Sequence, residues 1–566
     1  MLMNELIGNY FRMIHADLPL LHRPSFLEGV ASGRHFIDEG FGAVALLVCA
    51  LGARFSNNPA TLPPNAQSWQ FAGWQWFDQV RSMRRLVPLT TTTPSDLQVT
   101  TLAAAYVGTL AMQHTNFPLV GYGLRLAQDL GVHRRMTYGA VPTIQEEERK
   151  RAFWCLMAMD RGMATHLGRS CNLQEEDFDV DYPADCDDEY FLTDDPKTAF
   201  KQPSSRPSSI AQFVWYLKLS RINARALREL YSLQGTDNLE DPETARDIVT
   251  GLDSELNDWM DSLPQHLRYD PNRDDLPFAA QAASLHAAYY NLRIFIHRPF
   301  ITTPHDVPFP FPSYAICTNA ARSCIQVLER YFVLSGPALI YQYHIGSLLQ
   351  SGLILLLNLW QKLRAGTTSD AAAEFAHVNK ALDMLMSLEL HWDVAGRVWD
   401  MLNDIMSVVL ARYQQHVDNS LEQPGGDTLP DQDILSNMPS QTQNPSGYSP
   451  SSNTESSTHV STAGSDVTEH VPDDSFGLLS STSSWHSASF STTNFKLVEE
   501  GFEPDFEAMI ADLLPTLGYD DLLGSFGAQP HSGSAQVLGT EIATELGDSP
   551  SYESSASDWD SHFYEE

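Results

Sequence analysis

Residues 151–170, RAFWCLMAMDRGMATHLGRS, place Arg151, Asp160, Arg161 and Arg169 inside a mostly apolar run. A charge within an apolar helix is costly unless it is paired. These side chains are therefore candidates for a catalytic site, a ligand clamp or structural fasteners. Little else in the chain supports catalysis. It contains no G-x-G-x-x-G, no GK[ST] phosphate loop, no G-x-S-x-G elbow and no H-E-x-x-H. The 19 histidines do not cluster at metal-ligand spacing. His286 and His297 fall about three turns apart on one expected helix, too far to share an ion. His22, His133 and His297 each adjoin an arginine. Satisfied core or surface histidines are the expected outcome, and no enzymatic activity is expected.

The cysteines argue the same way. Six thiols is the number that a binuclear zinc cluster uses, but such a cluster packs them within about thirty residues in close pairs. Cys49, Cys155, Cys171, Cys186, Cys317 and Cys324 are scattered, mostly in apolar surroundings such as FWCLMAM. They read as small core residues rather than ligands or disulfides.

The elements that must position these residues are helices. FGAVALLVCALGARF (41–55) is apolar nearly all round and is expected at the centre. Thr93-Pro94-Ser95-Asp96 is a helix start, with Pro and capping side chains in the first turn. Residues 117–131 form a segment closed by Gly131. Ile144 to His166 makes a long one, opened by Glu146–Glu148. Further segments are predicted at 209–232, 243–263, 276–298, 313–333, 337–364, 370–388 and 392–414. No alternation of period two is sustained, so the predicted fold is all-α, with about a dozen helices. Residues 184–208, acidic and then rich in Ser and Pro, are expected to be a partly disordered loop. The strongest membrane candidate, 348–360, is shorter than a bilayer span, and no membrane association is expected.

Charge divides the chain. Of its 71 acidic residues 26 lie from Gln415 onward, together with a single lysine, Lys496. That tail carries −25 of the total −36. The body lacks a basic stripe, so this region is not expected to bind nucleic acid itself. Residues 416–496 read as a disordered Ser/Thr/Pro-rich linker. In 497–566 the stretch 502–526 alternates acids with Phe502, Phe506, Met509, Leu513, Leu514, Leu517, Leu522 and Leu523. Acids keep such apolar groups solvated until they fold as a short helix into a partner's groove, the pattern of an activation segment that contacts coactivators.

PLLHRPSF (19–26) and RIFIHRPF (293–300) share an apolar lead-in, His-Arg-Pro and a following Phe. Pro disfavours helix in the residue before it, and Arg can meet terminal carbonyls. Both read as one helix-stop device, with Phe26 and Phe300 folding back into the core.

These blocks carry a resemblance. YFRMIHADLPLLHRPSF (10–26) is similar to the opening motif of the fungal-specific transcription factor domain, the middle homology region of fungal zinc-finger regulators. GYGLRLAQDLGVHRR (121–135) resembles that family's A-x-x-L-G-L-H-R segment. Residues 146–183 resemble its E-x-x-R-R-x-x-W-W…D-R…G-R-P…D…P signature, and YYNLRIFIHRPF (289–300) a later helix. Cys155 stands where a second Trp is usual, and Ser170 where Pro is. The matching positions are His22, Arg23, Pro24, Phe26, Arg151, Trp154, Asp160, Arg161, Gly168, Arg169, His297, Arg298 and Pro299.

The resemblance implies a regulatory domain over 1–415 in a nuclear RNA polymerase II transcription regulator. It also implies zinc and DNA contact in an N-terminal module, which this sequence does not contain; no other cofactor is expected. A start at an internal Met, an isoform without the module and a regulator that never had one remain alternatives, the first favoured because an activation tail needs a tether. Dimerisation and a small-molecule effector are open roles of the helical body. The opposed reading is a helical ligand-binding or scaffold protein with no DNA-binding role. The family frame makes the charges of 151–170 fasteners, with Glu147 or Glu148 the expected partner of Arg151 and Arg169 a candidate for Asp160.

Overall fold

A computed structural model describes residues 2–421 apart from 65, 67, 84–92, 111–112, 193–198, 274, 303–311, 336–341 and 368–369. The linker assignment begins too early, since 416–421 belongs to a helix; residues 422–566, including Phe502 to Leu523, lie outside the described residues. Among those described, helices and loops are the only elements, as the apolar periodicity predicts. No described helix is long and apolar enough to cross a membrane.

The first half packs around α3 (Glu39–Ala53), the segment whose apolar residues run nearly all round. Leu47 and Val48 are completely buried there, and Asp38 caps its first turn by accepting from the Phe41 amide at 3.1 Å. The helix α1 (Leu2–Met13) crosses α3 at Gly52, where a Cβ would sit 2.0 Å from the Leu6 carbonyl oxygen. Only a residue without a side chain permits that approach. Against α3 also lie α4 (Trp74–Met83) and α5 (Pro94–Thr109), and α5 carries α6 (Gln113–Asp129) and α7 (Ile144–Leu167).

Local chemistry sets several of these boundaries. Thr93 and Asp96 form a reciprocal capping box at α5, and Thr143 and Glu146 another at α7. Gly168 ends α7 at φ 60°, a left-handed position that favours glycine. Gly131 does the same beyond α6 at φ 70°.

The second half contains α8 (Ala211–Leu230), α9 (Leu233–Glu240), α10 (Pro242–Ser262), α11 (Leu276–His297) and α12 (Pro299–Thr302). After these come α13 (Ser313–Ser335), α14 (Gln342–Arg364), α15 (Ala371–Leu388) and α16 (Asp393–Leu421), which passes the predicted end at 414. The helix α11 packs on α8 and α13, and α7 joins the halves by packing on α8. Arg54, 1% exposed, makes a second joint. Its guanidinium donates to the Trp69 and His391 carbonyls at 2.7 Å and lies over the Trp392 ring.

The two His-Arg-Pro blocks do not act alike, which corrects the helix-stop reading for the first. There His22 is the N-cap of a helix start, α2 (Arg23–Ala31), with Pro24 in the first turn, where its missing N–H costs nothing. In the second block α11 does end, at His297. The shared feature is the buried histidine, 1% and 0% exposed.

Candidate functional site

Each signature charge on α7 is met by a neighbouring segment. Arg151 is completely buried; its Nη1 lies 2.8 Å from Asp188 Oδ1, its Nε 3.6 Å from Glu147 Oε1, and its guanidinium is stacked over Phe191. The Asp188 contact is an ion pair lying off the hydrogen-bonding line. Burial pushes the Asp188 carboxyl up, but Arg151, His15 and the Arg23 amide together hold it below the ordinary carboxylate value. Asp188 Oδ2 also accepts from the Arg23 amide at 2.8 Å, and its carbonyl meets His22 Nε2 at 3.0 Å. Glu148 accepts from the His22 amide at 2.9 Å. Glu147, as predicted, pairs with Arg151, and it also accepts from the Ala184 amide at 2.8 Å.

The first and third family blocks are thus one network, tied together by residues 184–191. This was not foreseen. Within the 184–208 loop Cys186, Asp187, Phe191 and Ser208 are buried, with Phe191 1% exposed and stacked on His22, while Leu192 and 204–207 are exposed; residues 193–198 lie outside the description. A local composition rich in Asp and Ser does not reveal that its acids have buried cations waiting.

Asp160 does not pair with Arg169. Its two oxygens accept from the Asn172 amide at 2.9 Å and the Asn172 Nδ2 at 2.6 Å, fixing the chain just after α7. Burial raises this carboxyl despite those bonds. Arg161, 1% exposed, donates to Glu175 and to Ser220 Oγ. Arg169 lies over the Phe117 ring. Trp154 donates its indole N–H to the Asp181 carbonyl at 2.9 Å and stacks on Tyr182. At the second block, His297 Nε2 sits 3.2 Å from both Asp253 oxygens and Nδ1 3.1 Å from Ser313 Oγ. Arg298 donates to Tyr231 Oη at 2.9 Å. Ser313 thus stands next to His297 with Asp253 behind the ring, and Ser25 Oγ lies 2.7 Å from His22 Nδ1; both histidines are buried, at 0% and 1% exposure. Burial pushes the Cys155 thiol up, away from reactivity. Among the described residues no group of three or more His, Cys, Asp or Glu could hold a metal ion.

The structure also contains a site that the sequence did not mark. A cavity of about 120 Å3 lies where α7, α8, α11 and α14 converge on the turn after α1. Its apolar wall includes Leu18, Phe213, Leu219, Leu292 and Phe295. Its polar wall includes Asp17, Thr165, Asn223, Ser284, Asn291 and His344. Asp17 accepts from Gln212 Nε2 at 2.7 Å, and burial raises its carboxyl to about 6. Burial lowers the His344 imidazole to about 4 and lowers His166, also on the wall, so both are neutral at pH 7. Apolar surface with a few polar groups is the make-up of a small-molecule site. No sequence signal gathers these residues, which come from five segments far apart in the chain.

Residues 7–261 match the fungal specific transcription factor domain. The chain is 26% identical over 58% of its length to "Activator of stress genes protein 1" of Candida albicans. It is 24% identical over 57% to an "ABC-transporter-regulating transcription factor" of Aspergillus fumigatus. A third relative, "Cutinase transcription factor 1 alpha" of Fusarium vanettenii, is 25% identical over 58%. The matches cover 36%, 37% and 35% of those relatives, so the chain spans little more than a third of their length. No solved structure matches.

Proposed function

We propose that this chain, a member of the fungal-specific transcription factor domain family, is a nuclear RNA polymerase II transcription regulator. Its helical body governs an acidic-hydrophobic tail that recruits coactivators. The observation that carries this reading is the family match over 7–261, in which the buried signature residues His22, Arg151, Asp160 and Arg161 are each held by structural partners. DNA contact is assigned to a zinc module of the kind the family resemblance implies, and zinc to that module alone; among the described residues no metal cluster forms. The tail supports recruitment by composition, since 502–526 interleaves aromatic and aliphatic residues with acids.

Control by the body is assigned to the cavity. A ligand there touches α7, α8, α11 and α14 at once and so biases how they pack. The test is an epitope-tagged copy expressed from its own locus. Nuclear localisation and recovery of promoter DNA after cross-linking are expected. Exclusion from the nucleus with no promoter DNA recovered favours the scaffold alternative. The effector role is tested separately by Ala288→Leu, which adds bulk to the cavity wall. A target-gene response identical to wild type across growth conditions refutes it.

A further inference from the structure

From the placement of Asp17 we infer that the cavity takes a small amphipathic organic cation, an alkylammonium compound, with the Asp17 carboxylate as its counter-ion. This rests on reading the cavity as an effector site and adds the chemical class of the effector. Some buried acids of the body have cations, since Glu147 and Asp188 share Arg151 and Glu374 meets Arg322 and Lys362, whereas Asp160 is held by the two Asn172 donors. Asp17 has only the Gln212 amide, and among the described residues no basic side chain pairs with it. A carboxylate held away from bulk water without a cation is unfavourable, and a bound ammonium relieves that.

The remaining wall fits such a guest. Asn291 is a wall residue whose Oδ1 is a buried acceptor without a hydrogen-bond partner, complementary to an N–H donor. Phe213, Tyr216 and Phe295 offer apolar contact to an alkyl chain. The wall histidines are neutral, and Arg161 behind Ser220 is engaged by Glu175, so the charge facing the cavity at pH 7 is that of Asp17. Carboxylates, phosphates and zwitterionic amino acids find no cation on the wall and are disfavoured. An engineered cavity of roughly 150 Å3 holds benzene, so about 120 Å3 admits a guest of about five heavy atoms.

The experiment is calorimetric titration of the full chain at pH 7.5 with butylammonium, 1-butanol and butanoate at matched ionic strength. Saturable binding of butylammonium is expected, at least tenfold tighter than either isostere. Asp17→Asn should weaken it at least tenfold with the far-ultraviolet circular dichroism unchanged. Ala288→Leu, which keeps the carboxylate, should also abolish binding and covers the case in which the Asn variant fails to fold. Equal binding of butanol or butanoate, or full retention by Asp17→Asn, overturns the ammonium class and leaves the effector cavity standing. Absence of binding by all three probes overturns the inference, whereas the effector reading falls only if Ala288→Leu leaves the target-gene response unchanged.

Discussion

Asp188→Ala tests the claim that the buried charges are fasteners. The substitution removes the carboxylate 2.8 Å from a fully buried guanidinium and leaves Arg151 with Glu147 at 3.6 Å. It also strips the acceptor of the Arg23 amide. Leaving a buried charge uncompensated costs about 3–5 kcal/mol, and the remaining Glu147 contact puts the expected loss near the lower end, at about 3 kcal/mol. Unfolding entropy is about 2.1 cal/mol/K per residue, so a folded unit of roughly 400 residues loses about 3–4 °C in Tm. Thermal melts followed by circular dichroism read this directly.

A double-mutant cycle sharpens the test. Arg151→Met alone orphans the acids, whereas Arg151→Met with Asp188→Asn removes both charges, so the double variant should be at least about 1 kcal/mol more stable than the two single losses predict. A Tm change below 1 °C for Asp188→Ala, or simple additivity in the cycle, refutes the reasoning. The residues of 184–191 would then be a cover, not a clamp.

Asp17→Asn should behave in the opposite way. A carboxyl raised from 3.8 to about 6 by burial binds its proton more tightly in the folded state, so the cost of ionising it is fully present above pH 6 and fades as pH falls towards 4. The variant should exceed wild type by up to about 3 kcal/mol at pH 7.5 and match it near pH 4; the wall histidines contribute equally to both and cancel. An advantage that does not change with pH contradicts this. Gly52→Ala forces a Cβ to within 2.0 Å of the Leu6 carbonyl and should cost at least about 2 kcal/mol, measured as a Tm loss, by prising α1 from α3. Asp160→Ala leaves the Asn172 amide without its acceptor and should cost about 1–3 kcal/mol while butylammonium binding persists in the folded protein. Retained Tm with lost binding would instead make Asp160 a ligand group.

What could be read in the sequence was what local chemistry decides. Thr93 with Asp96, the acids from Glu146 and the glycine at 131 mark helix ends because each acts on backbone groups within a few residues. The apolar run of 41–55 showed the centre for the same reason. Partner choice was not legible. Asp160 faces Asn172, not Arg169, because the turn after Gly168 brings the chain back under α7, a geometry no spacing rule encodes. His22 starts a helix where His297 ends one, although both sit in His-Arg-Pro, since Pro is as well suited to a first turn as it is hostile to an interior. Asp17 lay inside a motif used for recognition, yet its importance comes from helices that follow more than a hundred residues later.

The claim that the body governs an activating tail is tested most directly by tethering the full chain to a reporter promoter through a heterologous DNA-binding module. Its output is compared with that of residues 1–415 tethered alone and of the chain carrying Phe506→Ala, Leu513→Ala and Leu514→Ala. The account predicts a strong signal from the chain, near background from 1–415 and at least a several-fold loss in the triple variant. Equal output from all three would contradict it.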